Sequence, residues 1–552
     1  MTAIKTGSRI LILDFGSQYT QLIARRLREL KVYCEIYPCD APLARIREFE
    51  PKGIVLSGGP YSVYDKGAPG LSAAGKADGK TASGDLFGLA VPVLGICYGM
   101  QYLARRFGGT VISARAREYG RAFIRRPADA KSALLPAEFM GGAANQKANQ
   151  KIEKLQTWMS HGDEIGKIPK GFRLTAISHN GSPAAMEDSA RGLYAVQFHP
   201  EVAHTEKGIE IFENFAYRIC GLKPDWDMHS FLEEQVRLVR EKVGAARAIC
   251  AISGGVDSTV AATLVNRAIG SRLTCIFVNN GLLRKDEAVE VVRAYKKHLK
   301  LNVKLVDAEK RFLSALKGVT DPEKKRKIIG REFIRVFEAE ARKVRGARFL
   351  VQGTLYPDVI ESVPPPREVS GASGSAGFSS TIKSHHNVGG LPADMKFALI
   401  EPLRELFKDE VRALGRELSV PPGILRRHPF PGPGLAVRVM GEVTRERLDI
   451  LREADSIFTE EIHRAGLYDE IWQAFVAYLP IRSVGVMGDG RTFDHVVALR
   501  AVTSQDGMTA DWYPFEPEFL AHVSNRITGN VRGVNRVVYD VSSKPPSTIE
   551  WE

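Results

Sequence analysis

Residues 91–101 read V-P-V-L-G-I-C-Y-G-M-Q, a short apolar run that ends at a glycine-flanked cysteine and continues into a helix-forming stretch. A buried strand followed at once by a helix is the repeating unit of a parallel α/β sheet. Gly95 and Gly99 leave the backbone room for a tight turn, so Cys97 reads as the tip of an elbow that aims its sulfur outward. The helix that follows favours the thiolate through its positive N-terminal end. Taken alone, Cys97 reads more readily as a small core cysteine. Its surroundings extend the pattern: strand candidates at 9–13, 53–56 and 91–96 alternate with helical stretches at 20–30 and 100–107. That alternation predicts a parallel sheet flanked by helices.

Two further motifs turn the cysteine into a candidate nucleophile. In Q-F-H-P-E-V, His199 and Glu201 stand at i and i+2 with Pro200 forbidding a helix, so both side chains can face one site from an extended segment. A carboxylate that holds an imidazole, and an imidazole that takes a thiol proton, make a Cys-His-Glu triad. An H-x-E pair by itself reads as a surface pair. Upstream, L-S-G-G-P at 56–60 follows a strand, and the amides of Gly58, Gly59 and Tyr98 are candidates for an oxyanion hole. The three motifs in this order form a specific signature.

Bulk properties bound the rest. At 552 residues the chain is several times longer than a domain of roughly 100 to 200 residues, which predicts three or four domains. With 44% hydrophobic and 26% charged residues it has globular composition, and no apolar run approaches the ~18 residues that span a bilayer. Asp14 ends the run I-L-I-L after four residues, too short for a signal peptide, so a cytoplasmic location is expected. The six cysteines (34, 39, 97, 220, 250 and 275) form no C-x-x-C pair and no zinc-spaced cluster, which argues against a disulfide scaffold. A net charge of +13 favours anionic partners. Without an aromatic-plus-basic stripe, nucleic acid is not expected among them.

Past G-L-K-P-D-W at 221–226, which reads as a linker, a second α/β alternation begins with strand candidates at 248–252, 273–278, 303–306 and 349–352. Its first strand runs into S-G-G-V-D-S-T, residues 253–259. Glycines at a strand-to-helix junction let backbone amides close on phosphate oxygens, and the helix N-terminus adds positive potential. Ser253, Gly254, Gly255, Val256, Asp257, Ser258 and Thr259 are therefore the candidate anion cradle for a nucleotide's phosphates, with Asp257 supporting the loop or a Mg2+. The pattern differs from G-x-x-x-x-G-K-[ST], having no lysine and one acid. A Pro/Gly/Ser stretch at 364–380 reads as a lid or a disordered segment. From P-F-P-G-P-G at 429, β-rich pieces at 481–486, 495–503 and 536–541 predict a third, α+β domain. Stretches 70–85 and 127–150 read as surface insertions.

The motifs L-D-F-G-S-Q-Y, L-S-G-G-P, G-I-C-Y-G-M-Q and F-H-P-E-V resemble a class I glutamine amidotransferase over about residues 8–220. That resemblance implies a glutamyl thioester on Cys97 and release of ammonia. S-G-G-V-D-S resembles the loop of ATP pyrophosphatases, which cleave ATP to AMP and pyrophosphate while adenylating an acceptor. Further segments, among them V-N-N-G-L-L-R-K at 278, V-Q-G-T-L-Y-P-D at 351, I-K-S-H-H-N-V-G-G-L-P at 382, R-H-P-F-P-G-P-G-L at 427 and the terminal S-K-P-P-S-T-I-E-W-E, resemble the GMP synthase family over nearly the whole chain.

The family resemblance implies three parts: a glutaminase at 1–222, an ATP pyrophosphatase at 223–428 and a dimerisation and XMP-binding domain at 429–552. It implies ATP and Mg2+ as cofactors, XMP and glutamine as further substrates, and a homodimer without nucleic acid or membrane. It places XMP contacts on Arg326, Lys383, Gln473, Lys544 and Glu550. From the residues themselves, the basic run Lys324, Lys325, Arg326 and Lys327 reads either as a phosphate clamp or as a solvated helix face. Removal of the last ten residues is expected to abolish GMP formation and leave the fold intact. The competing readings are another glutamine-dependent adenylating amidotransferase, resembling NAD synthetase, and a non-catalytic basic binding protein. The latter would be marked by loss of Cys97, His199 or the 253–259 loop, all of which are present.

Overall fold

The computed structural model describes residues 7–71, 85–127, 130–136, 154–361, 397–487, 490–504, 507 and 509–552. The stretch 364–380, Lys383, His385, His386 and most of the two insertions lie outside the described residues. The chain divides into two compact units, whose boundary falls between Phe231 and Leu232 inside the helix Met228–Val243.

The first unit is built on a sheet with, among the described residues, nine strands: β1 (Arg9–Asp14), β2 (Tyr33–Pro38), β3 (Gly53–Leu56), β4 (Val93–Ile96), β5 (Thr110–Arg125), β6 (Lys154–Lys167), β7 (Arg173–Ser178), β8 (Pro183–Asp188) and β9 (Leu193–Val196). Their order is β2-β1-β3-β4-β9-β8-β7-β5-β6. From β2 to β9 every pairing is parallel. These strands are covered on both faces, which is why β3, β4 and β9 are apolar and buried throughout. Beyond β9 the pairings turn antiparallel. The parallel sheet expected from the sequence is thus half of a mixed one. The antiparallel half is polar-alternating: β6 buries Leu155, Thr157, Met159 and His161 on one face. Such strands lack the unbroken apolar run that marks their parallel neighbours.

The second unit opens on an all-parallel sheet, β10 (Arg247–Ile252), β11 (Leu273–Asn279), β12 (Val303–Asp307), β13 (Ala347–Val351) and β14 (Ala398–Ile400), in the order β12-β11-β10-β13-β14. The order reverses at β10, so a crevice opens at its carboxyl end, the usual ligand position of such sheets. A second, mostly antiparallel sheet follows: β15 (Gln473–Met487) pairs with β16 (Gly490–Thr503), which also pairs with β17 (Asp511–Trp512) and, in parallel, with β18 (Val534–Tyr539). The segment after residue 429 has its own sheet but not its own core. One hydrophobic cluster runs from Ile249 and Ile276 through Leu435 and Phe458 to Val497 and Val534.

Candidate active site

Cys97 follows β4 directly and caps the helix Tyr98–Arg106. Its backbone has φ 53 and ψ −105, outside the regions an L-residue ordinarily occupies. The strain is held by hydrogen bonds on both sides: the Cys97 amide donates to the Val196 carbonyl at 2.8 Å, and its carbonyl accepts from the Met100 amide at 3.1 Å. Close packing of the elbow requires Gly99, where a Cβ would overlap the Leu56 carbonyl of β3. The result is a sulfur turned into the site at the carboxyl edge of the sheet, with Cys97 only 4% exposed.

β9 runs beside β4, and its continuation delivers the partners. His199 Nδ1 stands 2.7 Å from Glu201 Oε1, both side chains being buried. Burial alone pulls the imidazole pKa down, but the charges of Glu201 and Cys97 and hydrogen bonds to both raise it well above the ordinary histidine value. The imidazolium is thereby favoured beside the sulfur. The edge of the Tyr19 ring closes on the imidazole, with centroids 5.0 Å apart. The L-S-G-G-P turn lies against the same imidazole: a Cβ on Gly58 would stand 3.2 Å from His199 Cε1. The amides of Gly58, Gly59 and Tyr98 donate to no protein acceptor among the described residues. Asp14 of D-F-G ends β1 and accepts from the Gly16 amide at 2.9 Å and Thr20 Oγ1 at 2.7 Å, so it organises a strand end.

At the carboxyl end of β10, residues 253–255 form a turn with Ser253 and Gly255 exposed, and 256–259 make the first turn of the helix Val256–Ile269. Gly254 takes φ +86, a conformation open to glycine, and Gly255 caps the helix. Hydroxyls brace the turn: Ser258 Oγ lies 3.2 Å from both Ser253 Oγ and the Gly255 carbonyl. Below them Thr259 Oγ1 donates to the Gly255 carbonyl at 2.6 Å and meets the Tyr295 hydroxyl at 2.6 Å. Asp257 sits on the first helical turn, a hard oxygen donor suited to Mg2+ beside phosphate. Arg427, which opens the R-H-P-F-P-G-P-G-L segment but to which the sequence alone assigns no role, reaches the Gly254 carbonyl at 3.4 Å and Glu287 at 3.3 Å.

A third cluster gathers at the C-terminus. Glu550 accepts from Gln473 Nε2 at 2.5 Å and, through both oxygens, from Arg438 at 2.9 and 3.1 Å. Arg326 bonds the Glu552 carbonyl. Lys325, its neighbour in the basic run, is fully buried and donates to the Val439 carbonyl at 2.7 Å and to the Glu552 carboxylate. The run is therefore neither wholly a clamp nor wholly a solvated face: Lys325 points inward while Lys327 pairs with Glu323 at the surface. Lys544 donates to the Gly507 carbonyl at 2.7 Å, a separate set of contacts. Arg326, Gln473 and Glu550 are thus tied to one tail; Lys383 lies outside the described residues. Arg438 and Arg500, both 0% exposed, hold that tail and carry no sequence signal.

Comparison with known proteins follows the same division. The class-I glutamine amidotransferase family matches residues 11–219, NAD synthase matches 227–334 and the GMP synthase C terminal domain matches 460–551. A GMP synthase [glutamine-hydrolyzing] of Carboxydothermus hydrogenoformans is 56% identical over 99% of this chain and 100% of its own length. Proteins of the same name from Bartonella quintana and Brucella suis are each 54% identical, covering 100% and 98% of this chain and 100% and 98% of their own length. Identity above half, spread over nearly the full length of both this chain and its relatives, shows that the chain belongs to the family of glutamine-hydrolysing GMP synthases.

Proposed function

We propose that the chain converts XMP to GMP, with ATP cleaved to AMP and pyrophosphate and glutamine hydrolysed for its ammonia. The observation that carries the first half is the strained Cys97 elbow beside a buried His199–Glu201 pair. The thiolate attacks the glutamine side-chain amide, and the developing oxyanion is held by the amides of Gly58, Gly59 and Tyr98. His199 gives its proton to the departing ammonia, then takes one from the water that hydrolyses the thioester. Glu201 keeps the imidazole in orientation and offsets its positive charge.

In the second half, residues 253–259 cradle the ATP phosphates through amides and hydroxyls. The XMP oxygen attacks the α-phosphorus, pyrophosphate leaves, and ammonia then displaces AMP from C2 of the purine. Asp257 would hold Mg2+ together with phosphate oxygens, and that ion would supply charge neutralisation for the phosphates. Thr259→Val removes the hydroxyl that joins the loop to Tyr295, and it is expected to raise the KM for ATP roughly tenfold with little change in the KM for XMP. Equal changes in both constants would mean that the loop does not touch ATP.

We read residues 1–222 as the glutaminase, 223–428 as the ATP pyrophosphatase and 429–552 as the part that binds XMP and pairs subunits, in a cytoplasmic homodimer acting without nucleic acid or membrane. Supporting the pairing, the β15–β16 hairpin exposes Ile481, Val484, Val486 and Phe493, with Val484 directly opposite Phe493. No helix among the described residues is long and apolar enough to cross a membrane. The NAD synthase match over 227–334 covers an ATP-using part that can serve more than one acceptor, and acceptor-dependent pyrophosphate release separates XMP from the rival, deamido-NAD. XMP is expected to start release at a rate at least ~100-fold above that with deamido-NAD. Release driven by deamido-NAD alone would transfer the chain to that other reaction.

A further inference from the structure

Two buried glutamines lie beyond the triad, one facing its sulfur and the other behind the first. Gln101 lies one turn past Cys97 on the same helix, and Gln197 lies two residues before His199. Gln197 Nε2 is 3.8 Å from Cys97 Sγ, Gln101 Nε2 is 3.5 Å from Gln197 Oε1, and Gln101 Nε2 is also 3.1 Å from the Asp163 carbonyl. The direction of this chain of amides is fixed at one end. A backbone carbonyl only accepts, so Gln101 must turn its NH2 toward Asp163, its second N–H then meets Gln197 Oε1, and Gln197 is left with its NH2 toward the sulfur. The Asp163 carbonyl is itself anchored, since Asp163 pairs with Ser113 across β5 and β6 and His161 Nδ1 stands 3.0 Å from the same oxygen.

We propose that Gln197 is a catalytic hydrogen-bond donor to the Cys97 thiolate and that Gln101 is the positioning residue that aims it. The need for such a donor lies in what else faces the sulfur. In the thiol form Cys97 donates to the Ser160 carbonyl, 3.7 Å away. Once the proton has gone to His199, that carbonyl presents a negative dipole to an anion, and the Gln197 N–H opposes it. The titratable groups around the sulfur are His199, with Glu201 behind it, and, beside Ser160, His161 with Glu118 at 3.3 Å. The donor acts again in deacylation. When water adds to the thioester and the tetrahedral intermediate collapses, the C–S bond breaks, its electron pair returns to sulfur, and the water's proton passes to His199. The Gln197 N–H stabilises the departing thiolate at that step.

This inference rests on Cys97 being the glutaminase nucleophile, and one experiment tests the two separately. The pH dependence of Cys97 alkylation by iodoacetamide is followed in the full chain by peptide mass, alongside glutamine hydrolysis. The other cysteines are poor competitors, because burial pushes Cys39 up to about 11 and Cys275 up to about 12 and raises Cys220 and Cys250 as well, while Cys34 is 0% exposed. Gln197→Glu is expected to move the alkylation midpoint up by about one pH unit or more. It should also lower the glutamine-driven kcat roughly 100-fold with little change in KM. Gln197→Met, neutral and of similar length, should shift the midpoint in the same direction and decides the matter if the charged variant does not fold. Gln101→Met should give a smaller shift that adds nothing to Gln197→Met in the double variant. A midpoint that stays in place in folded Gln197→Met, or a full additive shift from Gln101→Met, overturns the relay. Glutamine hydrolysis that survives alkylation of Cys97 in the parent chain overturns the nucleophile itself.

Discussion

Cys97→Ala is expected to abolish glutamine-driven GMP formation and to leave formation from ammonium salts within about twofold of the parent. Removing the sulfur removes the only group in the elbow that can carry the acyl intermediate, and loss of a nucleophile from a triad costs on the order of 10^6-fold. Ammonia from solution needs no thioester, so the adenylating reaction proceeds. The backbone at Cys97 adds a second readout. At φ 53 and ψ −105 an alanine is as strained as the cysteine, whereas a glycine is not. Cys97→Gly should therefore abolish the same reaction and yet unfold at higher temperature than Cys97→Ala, by an amount set by roughly 1–3 kcal/mol of relieved strain. Such an outcome would identify the elbow as a place where stability is given up for a correctly aimed sulfur. Loss of both glutamine- and ammonium-driven synthesis in Cys97→Ala would instead assign the residue a structural role.

How far the site can be read from sequence follows from how local its geometry is. The Cys97 elbow and the 253–259 turn are strand–turn–helix units, so their glycines, their apolar strands and their helix starts lie within a dozen residues and are legible directly. The strand candidates at 53–56 and 248–252 differ from β3 and β10 by at most one residue for the same reason. β5 and β6 escaped notice because polar residues alternate through them, and their pairing is decided by partners some 40 residues away, as with Arg121 opposite Trp158. β15 begins eight residues before the stretch 481–486, where its outer face first shows aromatic or β-branched side chains to solvent. Gln101 and Gln197 had a usable signal: i+4 from Cys97 in a predicted helix and i−2 from His199 in a segment the sequence predicts as extended are both same-face positions. Arg438 and Arg500 had none, because an arginine in a sequence looks solvated until the fold supplies acceptors around it.

Those two arginines change what truncation of the tail should do. The sequence alone suggests that removing residues 543–552 would spare the fold, but the tail is part of the interior electrostatics of residues 232–552. Arg500 donates to the carbonyls of Ile549 at 2.8 Å and Thr548 at 2.9 Å, and Arg438 grips Glu550 through both of its oxygens. Lys325, buried under the same tail, is held by Glu552, and burial pulls its pKa down despite that carboxylate. Deleting the tail strands Arg438 and Lys325, while Arg500 keeps Asp540 at 2.8 Å, and breaking one buried pair costs about 3–5 kcal/mol. Two such losses consume most of a typical stability of ~5–15 kcal/mol. The truncated chain is expected to lose synthesis from glutamine and from ammonium alike, and its second unit should unfold at much lower temperature or aggregate. A paired replacement separates the structural from the catalytic share. Arg438→Met with Glu550→Leu removes the ion pair without leaving a bare charge, packs against Phe475, which already lies 4.2 Å from the guanidinium, and should restore most of the thermal stability. If Glu550 binds XMP, that folded double variant remains inactive, with its KM for XMP raised by a factor of ten or more. Full activity in it would confine the Arg438–Glu550 pair to holding the fold, and an undiminished melting temperature in the truncated chain would show that the buried cations find other partners.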